Sequence, residues 1–351
     1  MVVIAVTKIK AALLACSPQG GAMAAKLKQA ENWRDSPVYL PARYCQATET
    51  GVHGYESLAL LVRQLFAQYD CLVFFCACGI AVRMIGPLLR GKYSDPAVVV
   101  CDEGGLFAIS LLSGHMGGAN EFAAEIADVL GAVPVITTAT DVQGVFAVDS
   151  WAKTQQLYME EKQLVKEISA RLLQGELVGF SSDYCWQGTL PAGLKQNGDC
   201  RWGICISTEA KQPFLHTLHL RPRNLVLGVG CRRGITAAQL EQAFQQMLKR
   251  YSIEEKRISA AASIDLKQQE AGLLAWTAQK KLPIFFYTAE QLQHVSGAFT
   301  PSAFVQQIAG VDNVCERSAA LASNGGQQIV AKQKLDGVTM AVYEKSVELS
   351  F

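Results

Sequence analysis

"CLVFFCACGIAVRMIGPLL", residues 71–89, decides the fold. As one apolar run it approaches the length of a membrane span. Arg83 stands in its middle, and Gly79, Gly86 and Pro87 interrupt it. A charge and three helix-weakening residues do not suit a spanning helix. The stretch reads as a buried strand over 71–76, then a turn and a short helix. A strand that is apolar on both faces must be covered on both faces.

Matching units lie on either side. Candidate strands are "VVIAV" (2–6), "SPVYLP" (36–41), "AVVVC" (97–101), "LFAISLL" (106–112) and "VPVIT" (133–137). Between them run the helical patterns "GAMAAKLKQA", "SLALLVRQLFAQY" and "NEFAAEIADVLG". This alternation predicts an α/β fold with a mainly parallel sheet flanked by helices. "DEGG" (102–105) separates two strands by a hairpin-like turn, so one antiparallel pair is expected there.

The chain has 351 residues, half of them hydrophobic and 18% charged, which predicts several domains with sizeable cores. The net charge of +1 supplies no basic field to gather nucleic acid, so an anionic ligand must be held by local groups. The 11 cysteines are odd in number and include no C-x-x-C pair, which excludes a disulfide framework. Cys71, Cys76 and Cys101 sit in apolar runs as small hydrophobes, and a reduced cytoplasmic setting is expected. "LLAC" (13–16) resembles a lipoprotein processing site, but no positive region precedes the apolar start and Lys8 and Lys10 break it. No targeting or membrane segment is expected.

After "TTATD" (137–141) the texture changes. "SWAKTQQLYMEEKQLVKEISARLLQGEL" is charged and helical, and "VGFSSDYCW" and "RWGICIS" follow as strand-like runs. "LHLRPRN" (218–224) reads as a boundary. Beyond it the alternation resumes, with strands at 225–229, 258–263, 283–287, 328–331 and 337–342. Helices are expected at 236–250, 267–280, 301–308 and 315–323. The chain therefore divides into an N-terminal α/β domain (1–141), a middle α/β segment (142–223) and a separate C-terminal α/β domain (224–351).

The chemistry-bearing motifs begin with "LLSGHMGGANEFA" (111–123). Gly114, Gly117 and Gly118 permit backbone angles that other residues avoid and let a ligand approach closely. The following helix start, with Asn120, offers unpaired N–H groups to an anion. His115 stands at a strand end, where open sheets place ligands. A turn histidine that only bonds a carbonyl is the equal alternative.

"LVLGVGCRRGITAAQL" (225–240) resembles a dinucleotide fingerprint and departs from it: Gly228 and Gly230 fit, but Arg233 takes the third glycine position. Thr236 and Gln239 have capping-box spacing, which starts a helix near 237. Arg232 and Arg233 can fork onto carboxylates, or form a bland surface pair. Asp265 and Lys267 follow a strand as ligand candidates, with helix capping by Asp265 as the alternative. Glu316 opens a helix, where acids commonly complement the dipole. His216 and His219 have i, i+3 spacing in a strand-like run, so they face opposite ways and a metal site is not expected. "CAC" (76–78) reads as packing.

Together these motifs resemble the CbiG family. "GIAVRMIGPLL", "DPAVVVCDEGGLFAISLLSGHMGGANEFA" and "VPVITTATD" resemble its amino-terminal half. "LVLGVGCRRGIT", "ASIDLKQQEAGL", "GVDNVCERSAAL" and "IVAKQKLDGVTMAV" resemble its carboxy-terminal domain, and "AVDSWAKTQQL" with "ARLLQGELVG" resembles its middle segment. The resemblance implies hydrolysis of cobalt-precorrin-5A in anaerobic cobalamin biosynthesis. That reaction opens the ring A δ-lactone and expels the C20 carbon as acetaldehyde, giving cobalt-precorrin-5B. It implies a cobalt–corrinoid tetrapyrrole as partner, no nucleic acid or membrane, and no cofactor or protein metal site, because the substrate carries the cobalt. Contacts with neighbouring pathway enzymes and self-association are left open. It also implies a corrinoid-binding role for 224–351, and a macrocycle this large suits a site between domains.

The chemistry so implied makes His115 a general base oriented by Glu121, with N–H groups near Gly117 and Gly118 as oxyanion donors. Arg83, Arg232, Arg233 and Lys267 would hold the substrate's carboxylates. Gly114, Gly117, Gly118, Asn120, Gly228, Gly230, Asp265 and Glu316 complete the expected binding set. A non-catalytic corrinoid carrier is the competing reading, and a nicotinamide oxidoreductase is a weaker one.

Overall fold

The computed structural model describes residues 10–45, 51–91, 94–115, 117–138 and 144–351. The strand expected at 2–6 lies outside them. Contacts divide the chain into two compact units. One runs up to Ser150 and includes Leu172–Gly175; the other comprises Trp151–Arg171 and Glu176–Phe351.

The first unit is a seven-stranded sheet built from β1 (Ala11–Ala15), β2 (Val38–Pro41), β3 (Val52–Tyr55), β4 (Cys71–Phe75), β5 (Ala97–Cys101), β6 (Phe107–Leu112) and β7 (Val133–Val135). The order is β3-β2-β1-β4-β5-β6-β7. The fold-deciding stretch is resolved as expected: β4 is buried at every position, and α3 (Cys78–Ile85) follows within three residues. Strands β1 to β5 are parallel, β6 runs against β5, and β7 is parallel to β6. Helices α1 (Pro18–Leu27) and α4 (Ala119–Leu130) cover one face with Leu27, Ala123 and Ile126 over Leu13, Val73 and Val99. Helix α2 (Leu58–Leu65) and α3 cover the other, over Leu14, Phe74 and Val100.

The reversal at β6 is made by Asp102. Its carboxylate accepts N–H groups from Gly104 (3.0 Å), Leu106 (2.8 Å) and Phe107 (2.7 Å). Gly105 takes φ +69 within that turn, in the left-handed region that glycine enters without cost. The hairpin expected from "DEGG" is therefore present.

The second unit holds two larger sheets. The first contains β8 (Leu157–Met159), β9 (Val178–Ser182), β11 (Leu194–Gln196), β12 (Trp202–Ile206) and β13 (His216–Pro222), in the order β11-β9-β12-β13-β8. Helices α5 (Val148–Thr154) and α6 (Lys162–Leu173) flank β8 in sequence. The stretch expected to be mostly helical is so, and holds the short strand β8 between its helices, paired antiparallel with β13. "LHLRP", at the expected boundary, forms a buried strand.

The second sheet is built from β14 (Leu225–Cys231), β15 (Ile258–Ile264), β16 (Ile284–Tyr287), β17 (Gln327–Leu335) and β18 (Val338–Glu344), ordered β16-β15-β14-β18-β17. Helices α7 (Ala237–Tyr251) and α8 (Ala271–Gln279) pack on one face through Phe244 and Trp276. Helices α9 (Ala289–Gln293), α10 (Ala303–Ala309) and α11 (Cys315–Ala322) lie on the other. The capping box at Thr236 and Gln239 forms as expected. The chain end returns to the middle region: β19 (Leu349–Ser350) pairs with β10 (Trp186–Gln187), and Phe351 stacks on Trp151 at 4.7 Å.

Replacing Asp102 by Ala removes the acceptor shared by three N–H groups. The expected cost is about 1–3 kcal/mol, read as a lower denaturant midpoint for the first unit with an unchanged slope.

Candidate active site

His115 lies in a turn held by backbone and side-chain bonds among its described residues. Ser113 enters it at φ +57, a left-handed conformation uncommon for a residue with a side chain. Its hydroxyl donates to Asp95 O at 3.1 Å. A Cβ on Gly117 would stand 2.4 Å from Ser113 Cβ, so only glycine fits there. The N–H groups of Gly118, Ala119 and Asn120 donate to the carbonyls of His115, Ser113 and Gly114 at 3.1–3.2 Å. This corrects one expectation. The Gly118 N–H is committed inside the turn, so it does not serve a substrate oxyanion.

Asn120 is also committed. It is buried; its Oδ1 accepts from Ser110 Oγ at 2.6 Å, and its Nδ2 donates to Thr138 Oγ1 at 2.9 Å. A Cβ on Gly114 would meet Asn120 Oδ1 at 2.7 Å. Asn120 is thus the clamp that joins β6, the histidine turn and the segment after β7. Residues 139–141 of "TTATD" lie outside the described residues. His115 is half-buried, and Glu121 is exposed on the first turn of α4.

The polarity of β6 places this turn at an unexpected edge. Leu112 pairs with Val98 near the start of β5. The carboxyl end of β6 therefore lies beside the amino ends of β1, β4 and β5. His115 does stand at a strand end, but at the edge opposite the carboxyl edge of the parallel strands. Arg83, exposed on α3, has its guanidinium 3.7 Å from where a Gly79 Cβ would stand, over the first turn of that helix. That turn follows the carboxyl end of β4, so the fold does not bring Arg83 and His115 to one edge.

The second unit gathers Arg232, Arg233, Asp265 and Lys267 at the carboxyl ends of β14 and β15. Both arginines are exposed, and Asp265 opens a 3-10 turn after β15. Lys267 pairs with Glu270 at 3.1 Å, and Glu270 also accepts the Gly234 N–H at 2.9 Å. Lys267 is therefore engaged, and the exposed positive charge of this edge comes from the arginine pair. Burial pushes the Cys231 thiol beside them up to about 11.

Three expected binding residues prove architectural. A Cβ on Gly228 would fall 1.7 Å from Cys315 O, and one on Gly230 would meet Thr339 Oγ1 at 2.5 Å. The space these glycines leave is filled by α11 and β18. Glu316 is completely buried. Its carboxylate accepts Thr300 N (2.7 Å), Lys332 N (2.7 Å), Asn313 Nδ2 (2.5 Å), Gln328 Nε2 (3.1 Å) and Thr300 Oγ1 (3.2 Å). It holds protein segments together.

Similarity to known proteins coincides with these motifs. The family models described as "Cobalamin synthesis G N-terminal", "Cobalamin biosynthesis central region" and "Cobalamin synthesis G C-terminus" match residues 60–141, 146–222 and 225–343. The chain is 36% identical over 293 residues to the cobalt-precorrin-5A hydrolase of Salmonella typhimurium, spanning 80% of this chain and 83% of that protein. It belongs to the CbiG family. The cobalt-precorrin-5A hydrolase of Priestia megaterium is 33% identical over 305 residues, spanning 82% of this chain and 81% of that protein. Protein CobE of Sinorhizobium sp is 30% identical over 112 residues, 32% of this chain and 72% of that protein.

This CbiG chain carries two polar clusters that the sequence reading missed. Glu270 is one, and only its distance from Gly234 in space could have revealed it. The other joins His219 to Glu160 and Glu161, with donor atoms all within 4.8 Å. His219 Nδ1 faces Glu161 Oε1 at 2.8 Å and Nε2 faces Lys211 O at 2.9 Å, while Arg221 Nε donates to Glu160 at 2.5 Å. Both ring nitrogens of His219 are thus engaged by protein oxygens. As expected, His216 turns elsewhere and stacks on Trp202 at 4.0 Å.

Replacing Glu316 by Gln turns an amide N–H toward donors that need an acceptor. The expected loss is about 3 kcal/mol of stability, seen as a lower unfolding midpoint without ligand. A role in substrate binding alone would leave that midpoint unchanged.

Proposed function

We propose that the protein is a cobalt-precorrin-5A hydrolase, which opens the ring A δ-lactone and releases the C20 carbon as acetaldehyde to give cobalt-precorrin-5B. The observation that carries this reading is its likeness, along four-fifths of its length, to two proteins named for that activity. Cobalt enters with the substrate, and the reading needs no resident cofactor. Among the described residues no helix is long and apolar enough to cross a membrane. Action on a corrinoid in the cytoplasm accords with this. We further propose that the functional segments are 1–141, 142–223 and 224–351, the last of which binds the macrocycle.

In this proposal His115 is the general base. It takes a proton first from the water that attacks the lactone carbonyl. The protonated base returns that proton to the departing C20 oxygen, so the ring opens to a free C20 alcohol and a carboxylic acid, which ionises to solvent. The base next takes the alcohol proton; the C20 oxygen becomes a carbonyl, the carbon–carbon bond to the macrocycle breaks, and the conjugated ring accepts the electron pair. An imidazole can act as the general base in both steps. The Ser113 conformation supports the assignment, because strained backbone persists where surroundings over-determine it, often at working sites. Glu121 on α4 is proposed to steer the ring, and exposed Arg232 and Arg233 to meet the substrate's carboxylates.

Anaerobic incubation with cobalt-precorrin-5A should yield one acetaldehyde per macrocycle consumed. A corrinoid carrier would bind the substrate and release none. His115→Asn should slow release by about 10²–10⁴-fold with binding retained. Near-normal turnover would remove His115 from the mechanism.

A further inference from the structure

The hydrolase reading leaves one part of the first unit unused. In an open parallel sheet, loops that leave for opposite faces part at the carboxyl edge and open a crevice there. Here the parting lies between β1 and β4: α1 follows β1 onto one face, and α3 follows β4 onto the other. The strand register pairs Ala15 with Phe75. The next rung is Cys16 and Cys76. Cys16 N–H donates to Phe75 O at 3.4 Å, and Cys76 N–H donates to Cys101 O at 3.0 Å, so both backbones continue the ladder. Neighbouring strands lie about 4.8 Å apart, within the roughly 4.4–6.8 Å between Cα atoms that a disulfide spans.

Cys76 Sγ donates to Ala77 O at 3.5 Å, and the Tyr55 hydroxyl donates to Ala15 O at 2.9 Å, one residue before Cys16. Cys16 is half-buried, while Cys76 is 1% exposed behind it. An accessible thiol backed by a sheltered one is the arrangement of an attacking and a resolving cysteine.

We propose that Cys16 and Cys76 form a dithiol site that reacts with low-molecular-weight disulfides and closes a reversible Cys16–Cys76 disulfide at the carboxyl edge of β1 and β4. The Cys16 thiolate attacks one sulfur of the small disulfide. A Cys16 mixed disulfide forms and one small thiolate leaves. Cys76 loses its proton and attacks the Cys16 sulfur, and the second small thiolate leaves. Two protein thiols are oxidised and one small disulfide is reduced to two thiols.

The surroundings favour Cys16 as the attacking group. The hydrogen bond from Cys76, opposed by burial and aided by Tyr55, draws the Cys16 thiol from 9.0 down to about 7, with Glu103 pulling the other way. Cys76 is pushed strongly upward, first by Cys16, then by burial and by nearby Cys78, with the Ala81 backbone opposing. Burial raises Tyr55, with Arg43 opposing. A thiol with a value near ambient pH combines thiolate fraction with nucleophilicity.

The test uses the reduced full chain, oxidised glutathione, intact mass and peptide mapping between pH 5.5 and 9. The expected wild-type product has lost two thiols, retains no glutathione and joins the Cys16 and Cys76 peptides. The rate should rise with pH to a plateau, half-maximal near pH 7. Cys76→Ser, which keeps a hydrogen-bond donor, should trap glutathione on Cys16; Cys16→Ser should form neither product. Exposed Cys185 serves as the internal control. Glutathione retained on wild-type Cys16, a bond to another cysteine, or a Cys16 pH profile like that of Cys185 would overturn the proposal. The wild-type map decides the matter even where a variant fails to fold.

Discussion

The Asp102 turn is the constraint from which the geometry of the first unit follows. One carboxylate collects three backbone N–H groups and sends β6 back against β5. Five strands point one way and two the other. The sheet therefore has carboxyl ends at both edges: β1, β4 and β5 finish at one, β6 and β7 at the other. The histidine turn belongs to the second edge. There Asn120 ties β6 to the chain after β7, which fixes Gly114 and its neighbour without help from a ligand.

Local signals in the sequence carried far. The run at 71–89 gave strand, turn and helix because its charge and glycines lie within it. The same holds for the "DEGG" hairpin and the Thr236 capping box, where every partner is a few residues away. The first described strand was illegible for a compositional reason. "AALLA" is alanine-rich, and alanine favours helices over strands; only burial on both faces makes it β1. Strand β8 was hidden between two charged helices, and it exists because β13 offers it an edge.

The candidate sites show a different limit. Glycine in a turn signals close approach but does not name what approaches. At 228 the visitor is the Cys315 carbonyl, and at 230 it is Thr339. A sequence cannot separate those cases from a phosphate or carboxylate, because the deciding atoms lie over eighty residues away. The family resemblance was legible along the whole chain, since it rests on ordered motifs and not on any one contact. The cysteine rung at 16 and 76 was passed over because its meaning depends on strand register, which only the sheet supplies.

The buried carboxylate of Glu316 has a consequence for how the last sheet is assembled. Its donors come from residues 300 and 313 in the chain before α11 and from 328 and 332 on β17. With any one of them missing, a charge is enclosed with too few partners, which is costly in a dry interior. Helix α11, the loop before it and strand β17 therefore settle together or not at all. A chain that ended before β17 would leave Glu316 short of two donors, so this carboxylate makes the final hairpin a condition of order for the helical layer beneath it.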